Sequence, residues 1–369
     1  MRETVGVVGL GAMGLGIAQV YLAAGHPVVA TDAFAAARET APARMRAALM
    51  ARVAAGKMEA AAAEAMLGAL RIVEGPGAMA GAALAIEAIV EDMAAKRALF
   101  AALRDAVPGA VLATNTSSLS VTDMAQGMGG RLVGLHFFNP APAMRLVELV
   151  GYPGADPAAL ALARRITEGA GKTVIACPDR PGFIVNRCAR PYYGEALAML
   201  EEGRGAGEID AAMVAAGYRL GPFALIDLIG ADVHLAATEG VWAAMGRHPR
   251  YHVFDALRAQ VAAGRLGRKT GAGFVAGAVE APADAGDIVL RIEAALVNEA
   301  ASLLAEGGVE AEGIDTALRL GLNFPRGAFA AGRAQGMDRV RAELARLAGR
   351  CPPHLAGRYD PAPGLEDMA

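Results

Sequence analysis

The chain has 369 residues, enough for two or three domains, and is 54% hydrophobic and 20% charged, so it can bury sizeable cores. Its formal net charge of −3 gives no electrostatic case for nucleic acid or an anionic membrane as partner. Three scattered cysteines, Cys177, Cys188 and Cys351, argue against a disulfide framework or a metal site and for a reducing, cytoplasmic setting. No apolar run is long enough to span a bilayer, and no signal peptide is expected, because the first strand begins within five residues of Met1.

The stretch from Val5 to Asp32 reads as strand, tight turn, helix, strand. Val5, Val7 and Val8 suit a buried parallel strand. Gly9, Gly11 and Gly14 then form G-x-G-x-x-G, with Leu10, Ala12 and Met13 between them. The first two glycines permit a tight turn and close approach of backbone to a pyrophosphate, and the third lets helix and strand pack closely. The helix that follows points its first N–H groups at that anion. A second strand, Pro27 to Thr31, ends at Asp32, which lies 23 residues past Gly9. That is near the roughly 20 expected for a carboxylate that binds the adenosine ribose. Such an acid repels a 2′-phosphate, so NAD is expected over NADP.

Ala35 to Leu70 reads as an inserted helical hairpin broken near Gly56. Its cations, Arg38, Arg44, Arg46, Arg52 and Lys57, form a solvated face, or one or two of them grip a phosphate-bearing substrate tail. Short strands are expected at Arg71–Glu74 and Leu84–Val90, the latter running into Glu91, Asp92 and a helix with Lys96. On spacing alone, capping of that helix by Glu91 or Asp92 is the favoured reading. Ala110–Thr114 leads into Asn115-Thr116-Ser117-Ser118, either an N-cap or a lining of the ligand crevice. Leu132–Leu135 is a further strand, with His136 just beyond its end and Pro140 and Pro142 stopping regular structure.

Glu148 stands out. It lies inside an otherwise apolar strand, Met144–Val150, and a buried carboxylate needs a partner. His136, twelve residues earlier, is the obvious one. A carboxylate bonded to one imidazole nitrogen leaves the other to act as a base. After a strand at Lys172–Ala176, the run Cys177-Pro178-Asp179-Arg180-Pro181-Gly182 marks a domain boundary. The rest reads as helical, with Asn186 in the first turn of a helix that runs to about Glu202, and a glycine-rich loop at Gly267–Phe274 containing Lys269. From about Ala276 a linker leads into a partial copy, offset by about 105 residues, of the helical segment. The copy pairs Glu195, Ile209-Asp210 and Gly221 with Glu299, Ile314-Asp315 and Gly327; it is read as lacking the Asn186-Arg187 start, with an irregular end after Cys351.

These motifs together resemble the 3-hydroxyacyl-CoA dehydrogenase family. The matching pieces are GLGAMGLGIA, the acid of VVATD, EAIVED with Lys96, NTSSLS, GLHFFNPAPAMRLVELV, DRPGFIVNR, RLGPFALIDLIG and GRKTGAGF. The resemblance implies an α/β Rossmann-type doubly wound sheet with an inserted hairpin (1–181), an all-α substrate and dimerisation domain (182–275), and a linker with a partial all-α repeat (276–369). It implies NAD-dependent oxidation of (S)-3-hydroxyacyl-CoA to 3-oxoacyl-CoA in fatty-acid or aromatic-acid breakdown. His136 would be the general base, Glu148 its support, and Ser117 and Asn186 hydrogen-bond donors near the reacting oxygen or thioester. Gly9 to Gly14, Asp32, Glu91, Lys96, Asn115, Ser117, Asn139 and Lys269 match positions that contact NAD or lie beside it. The hairpin is where the family binds coenzyme A, and a homodimer through the helical domain is expected. The rival readings are a dehydrogenase of a small hydroxy acid that lacks CoA, such as a gulonate or carnitine dehydrogenase, or a non-catalytic NAD-binding relative. The intact set of Ser117, His136, Glu148 and Asn186 weighs against the last.

Overall fold

A computed structural model describes residues 2–277 and 279–368. The chain forms two compact units, one running to Arg180 and the other beginning at Pro181.

The first unit is built on eight strands: β1 (Val5–Val8), β2 (Val28–Thr31), β3 (Leu70–Ile72), β4 (Leu84–Glu87), β5 (Val111–Thr114), β6 (Leu132–Phe137), β7 (Leu146–Gly151) and β8 (Thr173–Pro178). They lie in the order β3-β2-β1-β4-β5-β6-β7-β8. All neighbours are parallel except β6 and β7. The chain leaves β1 for β2 and β3 on one side and returns to β4 on the other, which opens a crevice at the carboxyl ends of β1 and β4. The inner strands are buried on both faces, as a sheet covered by helices requires. The covering helices are α1 (Ala12–Ala23), α2 (Ala35–Ala54), α3 (Ala60–Gly68), α4 (Met93–Ala106), α5 (Val121–Met124) and α6 (Pro157–Gly169). α2 and α3 form the inserted hairpin; they bury Ala41, Met45, Leu49, Ala63 and Met66 in the core that also takes in Val5, Val7 and Ile17.

Of the strand ends that differ from expectation, two bear on the site. β4 stops at Glu87, short of Val90, because the Ile89 N–H turns back to the Glu87 carboxylate at 2.7 Å. β6 runs on through Phe137, so His136 lies within the strand and not beyond its end. The antiparallel ladder with β7 sustains it as far as Phe137 opposite Val147.

The second unit is helical: α7 (Val185–Cys188), α8 (Arg190–Glu201), α9 (Ala206–Ala215), α10 (Pro222–Ile229), α11 (Ala231–Ala244), α12 (Asp255–Ala262), α13 (Ala285–Ala305), α14 (Ala311–Leu322), α15 (Ala328–Gln335) and α16 (Met337–Arg350). The expected single helix from Phe183 to Glu202 is broken between α7 and α8, where Pro191 has no N–H to offer the Arg187 carbonyl. The segment after residue 285 packs in this same unit, with α13 against α8 and α9. It repeats the pattern of α7 to α11 closely. In each copy an aspartate accepts two N–H groups from the start of a later helix: Asp210 from Phe223 and Ala224, Asp315 from Phe329 and Ala330. A Cβ at Gly221 or at Gly327 would come within 2.3 Å of that aspartate, so neither position accepts a larger residue. The copy also keeps the arginine that the sequence reading took as missing. Arg291 stands where Arg187 stands in the first copy, and only Asn186 is replaced, by Leu290.

Candidate active site

In the α/β unit the turn after β1 has the shape the glycine spacing demands. Gly9 has φ +99°, and a Cβ there would meet the Ala88 carbonyl at 2.4 Å. A Cβ at Gly14 would lie 1.7 Å from the Gly9 oxygen, while one at Gly11 would meet nothing within 4 Å. Gly11 is the N-cap of α1, no side chain caps that helix, and its first turn holds no acid. The result is an open helix N-terminus that favours an anion. Asp32, at the end of β2, accepts the Leu10 N–H at 2.7 Å and the Phe34 N–H at 2.9 Å, which holds its carboxylate beside the turn. These residues fit the pyrophosphate and ribose of a dinucleotide. Phe34 and Val90, which follow β2 and β4, are 73% and 67% exposed, unusual for large apolar side chains.

β6 and β7 set His136 directly opposite Glu148 in the antiparallel register. Side chains of such partners stand side by side. Nδ1 of His136 lies 2.6 Å from Oε2 of Glu148, and both residues are buried. A carboxylate can only accept, so Nδ1 carries the proton, and Nε2 is the nitrogen that can take another. The Phe138 ring packs 4.5 Å from the imidazole, centroid to centroid. Lys172, whose burial pushes its pKa down to about 8, donates to the Ala141 and Met144 carbonyls and pins the loop between these strands.

Glu91 is not a helix cap. Asp92 alone caps α4, accepting from the Ala95 N–H at 2.8 Å. Glu91 Oε1 instead gathers the loop after β5: the Thr116 hydroxyl at 2.6 Å, the Ser117 N–H at 2.9 Å, and the Ser118 hydroxyl and N–H at 3.0 and 3.2 Å. Burial works to raise its pKa, but the Thr116 hydroxyl and the Lys96 ammonium prevail and hold it below the usual carboxylate range. Lys96 is buried, 2.5 Å from Glu87 and 3.3 Å from Glu91, so it supports Glu91 from beneath and does not itself reach the crevice. Glu87 also accepts the Thr114 hydroxyl at 2.7 Å. Sequence reasoning missed this acid, because in LAIEAIV it looks like part of a plain strand; the signal was a carboxylate in an apolar run, the same one that marked Glu148. Asn115 Oδ1 accepts the Phe137 N–H at 2.9 Å and so ties the end of β5 to β6. Asn139 follows in the loop that leaves β6.

Comparison with known families decides the affiliation. The NAD-binding domain model of 3-hydroxyacyl-CoA dehydrogenase matches residues 4–180, and the C-terminal domain model matches twice, over 182–277 and 286–369. The chain belongs to the 3-hydroxyacyl-CoA dehydrogenase family. It is 43% identical over 276 residues to the Escherichia coli 3-hydroxyadipyl-CoA dehydrogenase, a match covering 73% of this chain and 58% of that protein. It is 38% identical over 279 residues to a Mycobacterium tuberculosis 3-hydroxybutyryl-CoA dehydrogenase, covering 74% of this chain and 97% of the other. A crystal structure of the Escherichia coli 3-hydroxybutyryl-CoA dehydrogenase superposes with a TM-score of 0.91 at 32% identity, covering 100% of this chain and 98% of that one.

The helical unit carries the remaining family positions. Asn186 lies on α7, and its backbone carbonyl accepts Arg190 Nε at 2.8 Å. Lys269 is engaged by Asp232 at 2.5 Å in a half-exposed ion pair. Its glycine-rich loop is wrapped around Asp227, whose carboxylate accepts the Phe274 and Val275 N–H groups. Gly267 and Gly273 press so closely on Asp227 that a Cβ at either would come within 2.3 Å of it. Asp227 was not singled out from sequence, although the glycine spacing of GRKTGAGF implied some such post. In the hairpin, Arg38 donates to the Asp32 carbonyl, Arg44 to the Leu10 carbonyl, and Arg46 pairs with Glu64. Among the described residues no group of three or more metal-ligating side chains forms, and no helix is long and apolar enough to cross a membrane.

Proposed function

We propose that this chain oxidises the 3-hydroxyl of an (S)-3-hydroxyacyl-CoA to the 3-oxoacyl thioester, reversibly, with His136 as the base. The His136–Glu148 contact at 2.6 Å carries this reading. The hydroxyl proton passes to Nε2 of His136 while hydride leaves C3, and the imidazolium so formed is balanced by the Glu148 carboxylate on the other nitrogen. Bound NAD supplies the hydride acceptor. Ser117, held by Glu91, and Asn186 are the candidates for hydrogen bonds to the reacting oxygen and thioester. Gly9 to Gly14 take the pyrophosphate and Asp32 the ribose. The exposed Phe34 and Val90 suit the faces of an adenine ring. Glu91, Asn115 and Asn139 line the nicotinamide side, with Lys96 acting through Glu91. Lys269 takes its part by way of the Asp232 pair. The three free cysteines fit a reducing, cytoplasmic setting. The place in metabolism is the breakdown of fatty or aromatic acids, with short or dicarboxylic acyl chains as substrates.

The test is NADH oxidation by purified protein with acetoacetyl-CoA, compared with free acetoacetate and with NADPH. Turnover of the thioester with NADH alone is expected. Turnover of free acetoacetate but not of the thioester would reassign the chain to the small hydroxy-acid dehydrogenases. NADH binding with no turnover of either would make it a non-catalytic relative.

A further inference from the structure

Arg190, the first residue of α8, is buried and has no acid to pair with. Its Nε donates to the Asn186 carbonyl at 2.8 Å and its Nη1 to the Thr238 hydroxyl at 3.0 Å. Among the described residues nothing bonds Nη2, and no carboxylate forms an ion pair with the guanidinium. Burial lowers the pKa of Arg187, Arg190 and Arg291 alike. The acids paired with Arg187 and Arg291 more than reverse that, whereas Arg190 stays below the ordinary arginine value. A buried cation without an anion is costly, and an arginine does not escape by losing its proton.

The residues around Arg190 add to the cost. Its Cζ lies 5.3 Å from the centre of the Tyr193 ring, and that ring lies 4.3 Å from the imidazole of His234. Nε2 of His234 is buried with no hydrogen-bond partner. The second copy of the repeat shows what the fold alone needs here. The register that matches Arg187 with Arg291 matches Arg190 with Ala294 and Tyr193 with Val297. Both α11 and α16 are 14 residues long and follow a glycine of positive φ, so His234 matches Val340 and Thr238 matches Leu344. All four counterparts are apolar and buried. Packing is therefore satisfied without a cation, and copy one carries its polar set beside Asn186 for another reason.

We propose that Arg190 binds the terminal carboxylate of a dicarboxylic 3-hydroxyacyl-CoA, with Nη2 donating to it. This narrows the substrate class of the dehydrogenase proposed above and rests on that reading. The reach agrees. In a six-carbon chain, three C–C bonds of about 1.5 Å separate C3 from the carboxyl carbon. Arg190 follows Asn186 by four residues, and side chains at that helical spacing lie about 5–6 Å apart. An acyl chain whose C3 oxygen or thioester bonds Asn186 therefore brings its far end to the guanidinium. Arg190 is 8% exposed, so it is not sealed off from a ligand. A methyl-ended chain of the same length leaves the cation unpaired.

The experiment compares kcat/KM for (S)-3-hydroxyadipyl-CoA and (S)-3-hydroxyhexanoyl-CoA, which differ only in carboxylate against methyl at C6. It uses saturating NAD with the wild-type protein, Arg190→Gln and Arg190→Lys. Wild type is expected to favour the carboxyl-ended substrate about 10–150-fold, the worth of one hydrogen bond to a charged group. Arg190→Gln should lose that preference, and Arg190→Lys should recover part of it. A wild-type ratio near one overturns the proposal without any variant. So does an Arg190→Gln enzyme that slows both substrates alike and keeps the ratio, because Arg190 then serves only to hold Asn186. No turnover of either substrate by wild type fails the dehydrogenase reading, and the proposal falls with it; turnover without preference fails the proposal alone.

Discussion

The two copies of the helical repeat share a set of residues that hold the fold and differ at positions where the chemistry is sought. Asp210 and Asp315 each accept two N–H groups from a helix start, and Gly221 and Gly327 each make room for that aspartate. Glu195 and Glu299 are buried acceptors on α8 and α13. Against this, Asn186 becomes Leu290, and Asp227, the post for the glycine-rich loop, becomes Arg333 in a copy that has no such loop. Duplication thus acts as an internal control. Positions kept in both copies serve packing, and positions kept only in the first are candidates for function.

The largest effect on turnover should come from outside both copies. His136→Gln keeps a polar group of similar size but loses the base, and kcat should fall about 10²–10⁴-fold. NAD affinity, measured by NADH fluorescence titration, should hardly change. Near-parental turnover in this variant would remove the proton-transfer role from the His136–Glu148 pair.

Next in size are two corresponding arginines that link the copies, Arg187, which pairs with Glu299 and Glu306, and Arg291, which pairs with Glu195 and Glu202. Arg187→Ala leaves Glu299 with Arg250 and Tyr251, and Arg291→Ala leaves Glu195 with Arg358 and Tyr359, so each should cost less than the ~3–5 kcal/mol of a fully stranded buried charge in urea unfolding. The comparison requires similar losses. A large loss from one and none from the other would mean that the two sides of the exchange are not equivalent.

A smaller change tests the functional difference between the copies. Asn186→Leu installs the copy-two residue in copy one and should lower kcat/KM about 10–150-fold, the worth of one hydrogen bond to a charge-bearing group at ~1.5–3 kcal/mol. Leu290→Asn, the reverse exchange, should leave turnover as it was. Equal effects from the two would erase the distinction drawn between working and supporting copies.

The finest test is acid stability. Burial opposes the charge on Glu195, but Arg358 and Arg291 outweigh it and hold its pKa below the ordinary 4.5. A carboxyl depressed in the folded state lends its full stabilisation above the unfolded value and loses it as pH falls through the folded one. Stability should therefore be flat above pH 4.5 on account of this group and decline below it. The decline should be shallower in Arg358→Lys, where the depression is weaker. An unchanged acid profile would show that Glu195 does not couple the copies electrostatically.

Much of the α/β unit was legible because its signals are local. G-x-G-x-x-G, the strand before it and Asp32 lie within 28 residues, and Gly9 and Gly14 each meet a steric demand that the structure displays. The His136–Glu148 partnership could be read from the cost of burying a carboxylate, although the strand register that creates it could not. Pro140 made His136 look terminal, while the ladder with β7 carries the strand through Phe137. Which of Glu91 and Asp92 caps α4 was not legible, because an acid before a helix has two uses, and only the fold of the Thr116–Ser118 loop chooses between them. The exchanged contacts were the least legible. Arg187 and Glu299 are 112 residues apart, and alanine-rich helices dilute the periodicity that would have shown which faces meet.

Joining two copies of a helical repeat in one polypeptide has a consequence for dilution and for inheritance. The tether keeps the effective concentration of the second half constant, so the pairing does not weaken as protein becomes scarce. In a symmetric pair of separate chains every substitution appears on both sides of the axis at once. Here Arg291 can change while Arg187 stays, and each half can drift alone.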